Sequence, residues 1–366
     1  MEQKKIVFIV TSLGEGGAQK VMSMIANECV TAGFQVDVIS IMKSEVHVDL
    51  CSEISIDDLG VKRVGGLNNI TIMLKQPLLR RKLKNSAPNI IVLFGTLSAT
   101  FCYKSARRTT EHIIACERDN PLGMKNYMFR MAQRVYSNVQ VAVFQMPQIA
   151  DIYGIKENKY TVIPNACLVS DFDGVQFDSD SCSQSKLIIS AGRLERVKRY
   201  DVLIDAFEIV HKDYPDYRLN IYGDGSERDA LQEKIDNAGL CEFINLKGRV
   251  DNVWRDTETP YAFVLSSESE GIPNVIMEAM YYGIPCVSTD CEPGGARFLL
   301  DDGRCGLISN KNDCQDLATK LITLIEDSEL HNDLVEVGKN RISSFQREQI
   351  IEMWLKTIRN TIIEVQ

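Results

Sequence analysis

No apolar run in the 366-residue chain approaches the roughly 20 residues that a membrane-crossing helix needs. The opening MEQKKIVFIV reads as a first strand rather than a signal peptide. The four histidines, His47, His112, His211 and His331, form no ligand cluster, and the eleven cysteines are odd in number, scattered and without a Cys-x-x-Cys pair. These absences argue against a zinc site or a disulfide framework, and for reduced thiols in a cytoplasmic protein. A complete dinucleotide fingerprint is missing as well. Gly14 and Gly16 are followed by Gln19 where Gly-x-Gly-x-x-Gly needs its third glycine, which weighs against a dinucleotide dehydrogenase.

What is present is long enough for two domains, each with its own core. The net charge of −9 conceals an asymmetry: residues 1–170 carry 20 Lys/Arg against 14 Asp/Glu, and residues 171–366 carry 21 against 36. A basic first half on an acidic protein points to an anionic surface for that half alone. No recognised binding motif accompanies the charge, so nucleic acid is not expected as a partner. KQPLLRRKLKN sets Arg80, Arg81, Lys82 and Lys84 in one helical stretch with Leu78, Leu79 and Leu83. It reads either as a solvated helix face or as a foothold on anionic lipid, worth about 1 kcal/mol per basic residue.

Short apolar strands alternate with longer helical patterns, the mark of a parallel sheet covered by helices. KKIVFIV, QVDVIS, NIIVLFGT, HIIACERDNP, VQVAVFQM and YTVIPNA are strands of the first half, and KLIISAG, YRLNIYG, INLKG, FVLSS and PCVSTD restart the alternation. Between them DFDGVQFDSDSCSQS, residues 171–185, is polar and acidic and reads as a linker. Its Asp171-x-Asp173 and Asp178-x-Asp180 pairs match a metal-binding pattern only superficially, since such a pair belongs at a strand end beside a nucleotide. In open α/β sheets the loops at strand C-termini line the ligand crevice, which puts Glu117 and Arg118 forward as ligand contacts, a structural salt bridge being the other reading.

Two patterns in the second half carry chemistry. Arg193 and Lys198 stand just past a strand end, where two cations can neutralise a diphosphate as its charge develops. From Phe263 to Arg297 the chain runs strand, loop, helix and strand, with Glu270 in the loop and Glu278 inside the helix. Pro273 suits the first helical turn, and Gly283 with Pro285 ends the helix. The loop delivers backbone N–H groups to the positive end of that helix, a ready site for anions. Glu278 is flanked by apolar residues and needs hydrogen-bond donors, which sugar or ribose hydroxyls supply.

SSESEGIPNVIMEAMYYGIPCVSTDCEPGGAR resembles the donor-binding segment of the family 4 retaining glycosyltransferases, which have the GT-B fold. The likeness covers essentially the whole chain, loosely over 1–170 and specifically from about 188 to 310. It implies an α/β protein of two Rossmann-like domains facing each other across a cleft. Residues 1–170 would be the acceptor-binding domain, joined by a terminal helix, 346–366, that crosses back onto it; 171–185 would be the linker, and 186–345 the nucleotide-sugar domain. It further implies transfer, with retained anomeric configuration and without a metal or other cofactor, of a hexose or N-acetylhexosamine from a uridine diphosphate sugar. The acceptor would be a glycan or lipid-linked glycan of surface polysaccharide synthesis, on the inner face of the cell membrane.

By the same resemblance Arg193, Lys198 and Glu270 are the catalytic residues. Gly16, Gly17, Arg249, Val250, Gly271, Ile272, Asn274, Val275 and Glu278 bind the donor: Arg249 and Val250 at the nucleobase, Glu278 at the ribose, and the amides of 271, 272, 274 and 275 at the sugar and nearby phosphate. An epimerase or phosphorylase of the same fold is an alternative, but the sequence has no pyridoxal-phosphate lysine signature. A non-catalytic nucleotide-sugar scaffold is another.

Overall fold

In the computed structural model, which describes residues 3–14, 17–62, 68–169 and 174–363, the chain forms two units: Met1–Ala166 with Arg347–Gln366, and Cys167–Gln346. In the first unit seven parallel strands form one sheet: β1 (Lys5–Val10), β2 (Gln35–Met42), β3 (Ser55–Val61), β4 (Ile90–Phe94), β5 (Ile113–Cys116), β6 (Val141–Phe144) and β7 (Tyr160–Val162). Their order is β3-β2-β1-β4-β5-β6-β7. All five residues of β4, IIVLF, are buried, as expected of a parallel strand covered on both faces. The edge strand β3, SIDDLGV, is not legible in the sequence. Its first three residues are exposed, so it has no apolar run to announce it.

The second unit repeats the plan with six strands: β8 (Leu187–Ala191), β9 (Arg218–Tyr222), β10 (Ile244–Gly248), β11 (Ala262–Leu265), β12 (Cys286–Thr289) and β13 (Leu307–Ser309), in the order β10-β9-β8-β11-β12-β13. Each sheet therefore has one place where the winding reverses, between β1 and β4 in the first and between β8 and β11 in the second. There the helices after neighbouring strands go to opposite faces and open a crevice at the strand C-termini.

The terminal helix Arg347–Ile363 belongs to the first unit. Ile350, Trp354 and Ile358, spaced four apart on one face, are fully buried in the same core as Ile6, Phe8 and Phe94. Trp354→Ala should therefore cost about 3–5 kcal/mol of stability, measurable by denaturant unfolding; a loss within 1 kcal/mol would mean that the helix is not part of this core.

The segment read as a linker is partly ordered structure. Asp171 and Asp173 lie outside the described residues, but Ser179–Gln184 is a short helix, and the Asp178 side chain caps it by accepting the Ser181 N–H at 3.0 Å. That capping role accounts for Asp178 without a metal. The basic stretch forms the helix Gln76–Ser86, with Leu79 and Leu83 buried. Lys82 is ion-paired with Asp57, and Arg80 Nε donates to Ser105 Oγ at 3.3 Å. Arg81 and Lys84 are exposed.

Candidate active site

The reversal point of the second sheet is where the residues expected to carry function gather. The loop after β8 runs from Gly192 through Arg193 to Lys198, and the loop after β11 holds Glu270. Lys198 Nζ is ion-paired with Glu270 Oε1, both side chains being 16% exposed, and Ser267 Oγ donates to the same oxygen at 2.8 Å. Two further bonds hold the loops in register: the Glu268 N–H donates to Val197 O at 2.8 Å, and Ser266 Oγ donates to Lys198 O at 2.8 Å. The approach of Lys198 to Glu270 is thus built into the backbone and is not a chance meeting of two long side chains.

Glycines make the close approaches possible. A Cβ on Gly192 would stand 2.9 Å from Tyr200 Oη and 3.3 Å from Lys198 Cε. A Cβ on Gly223, after β9, would meet Gly192 O at 1.8 Å. On the other side the loop after β12 is drawn in: the Glu270 N–H donates to Glu292 O at 2.8 Å, the Glu292 N–H to Glu268 O at 3.1 Å, and Gly295 packs directly on the Gly271 carbonyl.

The helix carrying Glu278 spans Asn274–Tyr281. Pro273 is extended and stands at its cap, one position earlier than the sequence reading placed it. Gly283 ends it in the left-handed region at φ 71, with the Ile284 N–H returning to Ala279 O at 2.9 Å. Ile272 is buried, while Gly271, Asn274 and Val275 are half-buried at the helix N-terminus. The N–H groups of Gly271, Ile272 and Val275 have no acceptor among the described residues, so this end presents amide donors beside Lys198 and Glu270.

Glu278 is half-buried, and the Trp254 indole N–H donates to its Oε2 at 2.8 Å. Arg249, exposed, and Val250, half-buried, lie in the loop after β10 that leads to Trp254. Arg193 is exposed in the β8 loop, with no ion-pair partner among the described residues. Among the described residues no three of His, Cys, Asp and Glu converge as a metal site would require. The sequence reading missed Ser267 and Trp254. Ser267 sits three residues before Glu270, and Trp254 is one of only two tryptophans.

In the first unit the sequence reading needs correction. Glu117 is fully buried and is not placed to touch an acceptor. Its Oε1 accepts from Thr96 Oγ1 and from the N–H groups of Arg118 (2.9 Å) and Asp119 (3.0 Å), and its Oε2 from Tyr136 (3.1 Å) and Tyr153 (2.6 Å). No Glu117–Arg118 salt bridge forms. Arg118, also buried, stacks its guanidinium over Phe94 (5.1 Å) and Trp354 (5.4 Å) and donates through Nη1 to Ile163 O and Asn165 Oδ1, both at 3.3 Å. The pair acts as a core clamp. Gly17 starts the exposed N-terminus of the helix Gly17–Thr31, and Gly16 lies outside the described residues.

Burial, with Asp119 adding to it, pushes the Glu117 carboxyl up to about 7. A folded-state value above the unfolded one means stability that is full below pH about 4.5 and lost as pH rises towards 7, about 3 kcal/mol at most. Denaturant unfolding between pH 4.5 and 8 should show this slope in the wild type and its loss in Glu117→Gln; parallel curves for the two proteins would refute it.

Residues 173–341, nearly the whole of the second unit, match the family of glycosyl transferases group 1. The chain is a glycosyltransferase. Over 97% of its length the enzyme is 27% identical to 98% of a Campylobacter jejuni protein, GalNAc-alpha-(1->4)-GalNAc-alpha-(1->3)-diNAcBac-PP-undecaprenol alpha-1,4-N-acetyl-D-galactosaminyltransferase. Over 96% it is 23% identical to 99% of an uncharacterized glycosyltransferase of Haemophilus influenzae. Among solved structures, Anabaena HepE in complex with UDP matches 97% of this glycosyltransferase and all of its own chain, with a TM-score of 0.78 at 18% identity. Sucrose-phosphate synthase from Thermosynechococcus elongatus matches 98% and 99%, with a TM-score of 0.82 at 15% identity. The fold is that of the GT-B glycosyltransferases, two Rossmann-like domains.

Proposed function

We propose that this glycosyltransferase is a family 4 enzyme that moves a hexose or N-acetylhexosamine from a uridine diphosphate sugar, with retention of anomeric configuration, to a lipid-linked glycan of surface polysaccharide synthesis. The observation that carries the reading is the meeting of Lys198 and Glu270, 72 residues apart in sequence, beside the N-terminus of the helix Asn274–Tyr281. Lys198, Arg193 and the helix amides supply the positive charge that a departing diphosphate needs, so no metal ion is assigned. Glu270 accepts hydrogen bonds from the donor sugar, Glu278 from the ribose, and Arg249 and Val250 meet the base. The acceptor oxygen bonds to the anomeric carbon as its bond to the diphosphate breaks, and the acceptor proton leaves on the diphosphate.

The uridine choice is supported by the UDP in the HepE complex, and the lipid-linked acceptor by the undecaprenol diphosphate in the name of the Campylobacter relative. A membrane-facing first unit is supported by its basic charge and by the helix Asn68–Leu74. That helix leaves Ile70, Met73 and Leu74 at 59%, 63% and 74% exposure immediately before exposed Arg80, Arg81 and Lys84. No helix among the described residues is long and apolar enough to cross a membrane, so attachment at the cytoplasmic surface would be peripheral. The test is a panel of nucleotide sugars with undecaprenyl-diphosphate glycans as acceptors, in the presence of EDTA, with the product linkage read by NMR. An α-linked product from an α-linked donor is expected. Inversion, or activity only with added metal, would overturn those parts of the proposal.

A further inference from the structure

Glu278 is surrounded on its own helix by Val275, Ile276, Met277, Ala279 and Met280, so what holds its carboxylate must come from elsewhere. One such group is Trp254, whose Nε1–H donates to Glu278 Oε2 at 2.8 Å. An indole N–H donates and never accepts, and a bond from it to an ionised carboxylate is both charge-assisted and directional. Trp254 is itself immobile. It is 4% exposed, its ring centroid lies 5.2 Å from that of Tyr282 and 6.0 Å from that of Phe263, and its backbone N–H donates to Asn252 Oδ1 at 2.9 Å.

Asn252 begins the short helix Val253–Asp256, and only Asp251 separates it from Val250. The chain that carries Arg249 and Val250 therefore continues, within five residues, into the group that fixes the Glu278 carboxylate.

We propose that Trp254 is the positioning residue for ribose recognition: its indole N–H orients the Glu278 carboxylate so that the oxygens accept the ribose hydroxyls, and it ties that carboxylate to the loop expected at the base. This rests on the reading of Glu278 as the ribose acceptor. Trp254 is not catalytic, because it meets the donor only through Glu278. A purely structural tryptophan in the same aromatic cluster would, when altered, weaken every nucleotide equally.

The test compares UDP with 2′,3′-dideoxyuridine 5′-diphosphate, by calorimetry, on the full-length wild type and on Trp254→Phe, which keeps an aromatic ring and loses only the donor and part of the volume. Wild type should prefer UDP by about tenfold or more, the worth of hydrogen bonds to a charged group. Trp254→Phe should bring the ratio below about threefold by weakening UDP alone, with affinity for the dideoxy nucleotide unchanged. Glu278→Gln should lose the preference too, and adding Trp254→Phe to it should cost nothing further. A variant that keeps the full wild-type ratio, or that loses both nucleotides in parallel, overturns the positioning role. A wild type that binds the two nucleotides equally overturns the ribose assignment of Glu278 and the proposal with it.

Discussion

Lys198→Ala lowers kcat for sugar transfer by about 100- to 1000-fold, the usual worth of one donor aimed at developing negative charge, while the protein stays folded. The stability cost is modest. Lys198 and Glu270 are each 16% exposed, between a surface pair worth little and a buried pair whose breakage costs 3–5 kcal/mol, so about 1–3 kcal/mol is expected. The partner substitution separates the two roles of the ion pair. Glu270→Gln keeps the shape, removes the carboxylate proposed to bind the sugar, and frees the Lys198 charge that Glu270 neutralises in the absence of ligand. Transfer should fall at least 100-fold, yet UDP should bind about tenfold more tightly, because the diphosphate no longer competes with a carboxylate for the ammonium group. Rapid-quench kinetics with calorimetry on both variants checks this. Equal losses of turnover and UDP affinity in Glu270→Gln would mean that the pair does not compete with the ligand.

Gly295→Ala is expected to be nearly as damaging, by a different route. The added Cβ would lie 1.4 Å from Gly271 O and 2.5 Å from Gly271 C, and the obstacle is backbone, with no side chain able to swing aside. The loop 270–272 or the turn at Gly294–Gly295 has to move by an ångström or more, taking the carboxylate of Glu270 or the amides after it out of place. A misplacement of that size costs about 100-fold in rate. Steady-state kinetics should show the loss, with a cooperative unfolding transition retained; kcat/KM within threefold of wild type would mean that the loop tolerates the shift and does not set the geometry.

The parts of this site that the sequence makes legible share one property: each is declared by its own neighbours. Glu270 and Glu278 sit in a strand–loop–helix whose proline, glycines and spacing are local signals, and Lys198 follows a strand end. Trp254 acts through a partner that only the fold brings near, 24 residues away in sequence, whereas Ser267 bonds within its own loop, where nothing in the sequence singles it out from Ser266 and Ser269. No periodicity signals them. The reading of Glu117 failed for a physical reason as well. Loops at strand C-termini line the crevice, but the Glu117 N–H still donates to Val143 O at 3.0 Å, so the residue continues the ladder of β5 and its side chain remains inside. The exposed position is reached two residues later, at Asp119. β3 escaped notice because an edge strand with one covered side needs few apolar residues. The short helix inside the segment 171–185 is not announced by its composition, since Ser and Asp mark loops but also make helix caps, as Asp178 does.

A nucleoside diphosphate is expected to dock on Lys198 and the helix amides after Glu270. Calorimetry of UDP, UMP and uridine in EDTA, at two salt concentrations, on wild type and Lys198→Ala, tests it most directly. UDP should bind wild type at least tenfold more tightly than UMP, this margin should shrink with salt, and Lys198→Ala should abolish it. Equal affinities for UDP, UMP and uridine, or a margin that survives the loss of Lys198, would contradict it.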